Sequence, residues 1–226
     1  MIHANYCKQF ICLGGEVLDV GSGRGKFLCA MAQLRFRVYG VEVSSLYIEE
    51  AKKLAETNNV SINVTQGKAE ALPFEDGKFD FVNCAEVSEH VDDTIKMCQE
   101  IFRVLKLGSK CYISFHNRYG FYDYHYNMPF INWMPRFLAE NITSMFGKAK
   151  KDSREIGRQS LSSMHYYTFS QVKTMLQNLG FKVRDIRVDK SKDRFGFLSP
   201  LILLVYFSVA RPFYFNTFHI LVEKNK

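Results

Sequence analysis

One short stretch combines the residue types of a nucleotide site: Val17-Leu18-Asp19-Val20-Gly21-Ser22-Gly23-Arg24-Gly25. An apolar run ends in an acid, and three glycines follow at alternate positions. Glycines at a strand-to-helix turn let backbone approach a ligand closely, and the helix beyond offers free N–H groups. A dinucleotide fingerprint would place its third glycine at position 26, where the chain has Lys26. A second acid, Glu42, closes Val38-Tyr39-Gly40-Val41-Glu42, where nucleotide folds keep a ribose acceptor. Three histidines are candidates for proton transfer: His116, His125 and His165. His125 has Asp123 two residues away, a spacing that suits orientation of its ring. His3 reads as terminal surface and His219 as structural. Glu86, Glu89 and His90, at i, i+3 and i+4, would share one helix face and offer Mg²⁺ hard ligands; no metal is needed to explain them.

Alternating strand and helix signals must position these groups. Strands are expected at Glu16–Val20, Arg37–Glu42, Ser61–Gln66, Phe79–Cys84 and Lys110–His116. Helices are expected at Lys26–Leu34, at Ser45–Thr57 with Ser44 or Ser45 as N-cap, and from the end of the fourth strand to Leu105. The alternation implies an α/β fold with a parallel sheet covered on both faces. Ligands then sit at the carboxyl ends of the strands, which points His116 at the site. The rhythm lapses from Asn117 to about Ser163. It resumes with a helix at Thr168–Leu179 (Ser170 as N-cap, Gly180 as stop), a strand at Phe181–Val188 and a last strand at Asn216–Glu223.

The 226 residues, 47% hydrophobic, fit one globular domain. Six scattered cysteines with no zinc spacing favour a reducing compartment, and the N-terminus has no signal-peptide pattern, so a cytoplasmic location is expected. The net charge of +7 gathers in Lys148, Lys150, Lys151, Arg154 and Arg158, and again in Lys182, Arg184, Arg187, Lys190, Lys192 and Arg194. Either it is solvated surface or it meets an anionic partner such as a membrane or a phosphate-bearing substrate. No RNA-binding signature accompanies it, so nucleic acid ranks last.

Five further stretches, in order, carry a family resemblance. They are the Glu42 strand, Gly67-Lys68-Ala69-Glu70-Ala71-Leu72-Pro73-Phe74, Phe79-Asp80-Phe81-Val82 with Glu86-Val87-Ser88-Glu89-His90-Val91, Arg103-Val104-Leu105-Lys106-Leu107-Gly108, and His165-Tyr166-Tyr167-Thr168-Phe169-Ser170 leading to Gly180-Phe181. With the glycine turn they resemble the class I S-adenosylmethionine (SAM) methyltransferases, close to the ubiquinone-pathway and type 11 members. The resemblance implies a Rossmann-like fold, a seven-stranded mostly parallel sheet with the last strand antiparallel, and one methyltransferase domain over 1–226. It implies SAM as cofactor, contacted at Asp19, Gly21, Ser22, Gly23, Gly25, Glu42, Val43, Lys68, Ala69, Glu70 and the turn at Cys84–Ala85. Lys68 stands where the family usually has an acid for the adenine amino group, leaving the Ala69 backbone or Glu70 to substitute. Relatives also carry a longer N-terminal cover than Ile2–Leu13. A non-catalytic SAM-binding subunit is the alternative, and an NAD enzyme a third reading.

The acceptor would be a small molecule, a glycan or a lipid-linked compound, with hydroxyl methylation preferred. The tyrosine-rich stretch, about 117–163, is an expected lid. The apolar run Phe197–Ala210, in an insertion of about 197–212, is expected as a helix capped by Ser199, opened by Pro200 and ended by Arg211-Pro212. Eleven helical residues reach only ~16 Å, too short for a ~30 Å bilayer core. The helix is then core, a homodimer contact, or a surface for a lipid-like acceptor or an anionic inner-membrane face, with Leu203 and Phe207 as its contact residues.

Overall fold

The computed structural model describes residues 2–148 and 159–225; the basic residues Lys150, Lys151, Arg154 and Arg158 lie outside them. The sheet is built from β1 (Glu16–Val20), β2 (Arg37–Glu42), β3 (Asn63–Gln66), β4 (Phe79–Cys84), β5 (Leu105–His116), β6 (Phe181–Asp185) and β7 (Thr217–Lys224). Their order across it is β3-β2-β1-β4-β5-β7-β6. β1 to β5 pair parallel, and β7 runs antiparallel between β5 and β6. This is the class I methyltransferase fold, with the last strand antiparallel as expected.

Strand alternation divides the core into two layers. Leu18, Val82, Cys111, Ile113 and Phe115 face α4 (Thr94–Val104) and α6 (Phe169–Asn178). Val17, Phe81, Tyr112 and Leu221 face α1 (Ile2–Cys7) and α2 (Lys26–Gln33). Ser44 caps α3 (Ser45–Thr57) through a 3.4 Å bond from the Tyr47 N–H. The stretch after β5 has its own small core of Tyr126, Ile131, Leu161, Met164 and Tyr166, packed with α5 (Arg136–Met145).

Four expectations need correction. Residues 85–93 form turns, not a helix: Glu86 adopts φ +57°, and α4 starts only after Asp93, whose carboxylate accepts from the Lys96 N–H. Thr168, not Ser170, caps α6, in a reciprocal box with Gln171. β6 ends at Asp185 because that side chain accepts from the Arg187 N–H and starts α7 (Ile186–Phe195). Ser199 caps nothing, since its backbone is already helical; α8 (Ser199–Val205) runs on through wide π-type turns, Tyr206–Tyr214, that accommodate Pro212.

Candidate functional site

The glycine turn sits at the carboxyl end of β1, as parallel topology requires. Its N–H groups are not free, however. Those of Gly21 and Ser22 donate to the Val41 carbonyl at 2.8 and 3.1 Å, and that of Gly23 donates to Glu42 at 2.8 Å. A side chain on Gly25 would meet Ala51 of α3 at 2.7 Å, and its φ of +73° suits glycine besides. Gly23, at φ +50°, faces open space. A ligand at the turn therefore meets bare backbone beside an acid.

That acid is well fixed. Glu42 is buried, and its oxygens accept from the N–H groups of Gly23 and Ser44 at 2.8 and 3.0 Å. Each oxygen keeps lone-pair capacity for a hydroxyl. Val43 beside it is half exposed. Ser22 turns its hydroxyl beneath the turn into the space left by Gly40, so only its backbone can serve a ligand. Asp19 is buried and accepts from the Asn83 amide NH₂ at 2.6 Å, and the Asn83 amide oxygen in turn accepts from His3 Nε2–H at 2.7 Å. Burial pushes the Asp19 carboxyl up to about 7. His3 is thus not free surface: α1 closes this layer of the site.

Around the adenine-side loop, Lys68 pairs with Asp92 at 2.9 Å on the surface, and Glu70 accepts from the Asp92 N–H at 2.7 Å. Both side chains are engaged with the turn after β4, and Ala69 between them is buried. Arg103 holds this loop through the carbonyls of Leu72 and Phe74 and through Asp76 and Glu100. Cys84 is buried and Ala85 half-buried at the end of β4.

The acid–histidine cluster is the second half of the site. Glu89 has no exposed side-chain surface, and one of its oxygens lies 3.2 Å from His116 Nδ1, 3.7 Å from His90 Nε2 and 3.8 Å from His125 Nε2. Glu86 comes within 3.7 Å of His116 Nε2. Burial alone would raise the Glu89 carboxyl, but His116 outweighs it and holds it below the ordinary value. Burial alone would lower the His116 imidazole, but Glu89 and then Glu86 hold it above the ordinary value. Both shifts favour an ion pair. His125, by contrast, is pushed down to about 4 by burial and by the charge of His116. Asp123 does not orient its ring, as the spacing suggested. It accepts instead from the N–H groups of His125 and Tyr126 and from the Tyr166 hydroxyl. His165 donates its backbone N–H to the Glu89 carbonyl, and its ring stacks on Tyr167.

Among the described residues, ligand atoms converge within 4.8 Å in two sets: Glu86, Glu89 and His116; and Glu89, His90 and His125. The expected helix-face set of Glu86, Glu89 and His90 does not form, because no helix exists there. Mixed carboxylate and imidazole donors suit a borderline divalent ion better than Mg²⁺. Next to the cluster lies a cleft of about 470 Å³, lined by Phe121, Tyr122, Tyr124, Arg187, Tyr214 and Phe215, with Thr217 and His219 of β7. Thr217 pairs with His116 across the sheet, so cleft and cluster adjoin. His219 accepts or donates at 2.6 Å to Tyr112. Sequence reasoning missed His3, Asn83, Ser114 and Arg103, most of whose partners lie more than 25 positions away along the chain.

Residues 18–113 match the family model described as a methyltransferase domain. A ubiquinone biosynthesis O-methyltransferase of Coxiella burnetii is 36% identical over 118 residues, 52% of this chain and 50% of that protein. A demethylmenaquinone methyltransferase of Lactococcus lactis is 33% identical over 145 residues, 62% of this chain and 56% of that one. The chain thus spans about half the length of the curated relatives it matches. The YcgJ protein of Bacillus subtilis shares the fold over 100% of both chains, with a TM-score of 0.63 at 19% identity. A SAM-dependent methyltransferase of Methanosarcina mazei does so over 96% of each, with a TM-score of 0.63 at 20% identity. The resemblance to class I SAM-dependent methyltransferases holds in sequence over the first half and in fold throughout.

Proposed function

We propose that the protein transfers the methyl group of SAM to a hydroxyl of a small, largely apolar acceptor held in the aromatic cleft. The observation that carries this reading is the His116–Glu89 pair, set at the carboxyl end of β5, on the same sheet edge as the glycine turn and next to the cleft. The site fits the cofactor: Glu42 offers two acceptor oxygens to a ribose diol, and the open face at Gly23 admits the ligand. SAM supplies an electrophilic methyl on a sulfonium sulfur.

The chain's own residues do the rest. In its neutral form, with Nδ1 3.2 Å from Glu89, His116 presents Nε2 as the base for the acceptor hydroxyl. Glu89 fixes that tautomer and stabilises the imidazolium. The tyrosines of the cleft offer aromatic faces to a planar acceptor and hydroxyls to its polar edge. The names of the two bacterial relatives place those proteins in quinone metabolism, which supports a phenolic or quinol-like acceptor here. A purely SAM-binding role would leave the buried pair without a task.

The test is methyl transfer from radiolabelled SAM to a panel of hydroxylated aromatic, sugar and lipid acceptors. Product with a phenolic acceptor, abolished in His116→Asn, is expected. Turnover confined to amines or carbon acceptors, indifferent to His116→Asn, would overturn the hydroxyl reading.

A further inference from the structure

The chain between β6 and β7 contains the one stretch among the described residues, Ile186–Tyr214, that is long and apolar enough to cross a membrane by length and composition alone. Its geometry excludes a crossing. The Tyr206 hydroxyl donates to Asp185 at 2.7 Å. A straight helix would put those residues roughly 30 Å apart. The chain therefore goes out along α7, turns at Gly196 (φ +49°, ψ −119°) and comes back along α8. Each arm reaches ~15 Å, half of a ~30 Å hydrocarbon core.

The tip of this hairpin is apolar and bare. Phe197 is 90% exposed, Leu201 65% and Leu204 63%, whereas Leu203 turns inward at 9%. Leu203 is thus a packing residue and not the contact expected from sequence. The outgoing arm carries exposed Lys190, Lys192 and Arg194 against one exposed acid, Asp193, while Asp189 is matched by Arg184 at 2.9 Å. The returning arm joins the lid through the ring pairs Trp133–Phe213 and Phe121–Tyr214, with centroids 6.3 and 6.4 Å apart. Phe121, Tyr124 and Tyr214 line the cleft and are themselves exposed.

We propose that this hairpin is an interfacial anchor that docks the protein on an anionic lipid bilayer, with the cleft mouth facing the lipid. An apolar tip with a basic flank is the combination that a negatively charged membrane surface selects. A two-fold dimer through the same patch would instead set Lys190, Lys192 and Arg194 close to their own copies. Entry of a lipid-phase acceptor into the cleft rests on the methyl-transfer reading; the docking does not.

The experiment is co-sedimentation of the full chain with phosphatidylcholine vesicles, with and without phosphatidylglycerol. Binding is expected only to the phosphatidylglycerol vesicles, and it should weaken as salt is raised. The double variant Phe197→Ser/Leu201→Ser should bind more than about tenfold more weakly, with its melting temperature and SAM affinity unchanged, because both side chains point away from the domain. Lys190→Glu/Lys192→Glu should remove the preference for the anionic lipid. Wild-type protein that stays in solution with phosphatidylglycerol vesicles overturns the proposal. So does a stable dimer in light scattering that the double variant dissociates while vesicle binding is unaltered. Vesicle binding without SAM binding would uphold the anchor and defeat the proposed reaction; the reverse result would do the opposite.

Discussion

Replacing Glu42 with Gln tests the cofactor half of the site with little change of shape. The wild-type carboxylate accepts two backbone bonds, from Gly23 at 2.8 Å and Ser44 at 3.0 Å, and is buried. An amide can accept at only one of its two ends. Its NH₂ then faces either the Gly23 or the Ser44 N–H, leaving donors opposed and one backbone group unpaired, at a cost of about 1–3 kcal/mol. The ribose diol loses one acceptor for the same reason. A charge-assisted bond is worth about 1.5–3 kcal/mol, so SAM affinity should fall about 10- to 100-fold, at about 1.4 kcal/mol per decade. Calorimetric titration with SAM measures this directly, and urea unfolding reports the structural share. Glu16→Gln is the control: Glu16 opens β1 at the far end of the strand and accepts from the Tyr39 hydroxyl at 3.1 Å. If Glu42→Gln binds SAM within twofold of wild type while Glu16→Gln does the same, the ribose assignment is wrong.

His116→Asn should lower kcat by about 10²–10⁴-fold, the usual worth of a general base, with SAM affinity intact; a kcat unchanged by the substitution removes His116 from the mechanism. Asp19 has its carboxyl raised to about 7, so the native state holds a proton that the unfolded chain releases near 4. Native stability from this group therefore falls as pH rises from about 4 through about 7. Asp19→Asn should gain on wild type in urea unfolding at pH 8 relative to pH 5, and an equal difference at both would contradict the burial argument. If His116 and Glu89 work as a base pair, activity should survive dialysis against EDTA. Loss on chelation, with recovery on adding Zn²⁺ or Mn²⁺, would assign the same carboxylate to a cation.

Much of the scaffold was legible in local pattern. The apolar runs of β1, β2 and β4, the Ser44 cap and the Gly180 stop each depend on a few consecutive residues, and they appear within a residue or two of where the pattern placed them. The errors arose where a distant partner competed with a local signal. Glu86-x-x-Glu89-His90 has helical spacing, yet Ser114, 28 residues away, binds both the N–H and the carboxylate of Glu86 and holds it in the turn. Asp123 lies beside His125 in sequence, but Tyr166 and two backbone N–H groups take its oxygens first.

By itself, the sequence determined the succession of the seven sheet strands along the chain, the glycine turn, and the acid at the end of β2. These follow from hydrophobic periodicity, from the φ values open to glycine and from the reach of neighbouring residues, all of which act over short stretches of chain. Only the tertiary structure decided that Glu89 is enclosed by three imidazoles drawn from residues 90, 116 and 125. It alone decided that Asp19 reaches His3 through Asn83, and that the apolar run after β6 folds back at Gly196 with its tip uncovered. Each of these depends on which distant groups exclude water from one another, and burial of that kind is a property of packing that no local spacing encodes.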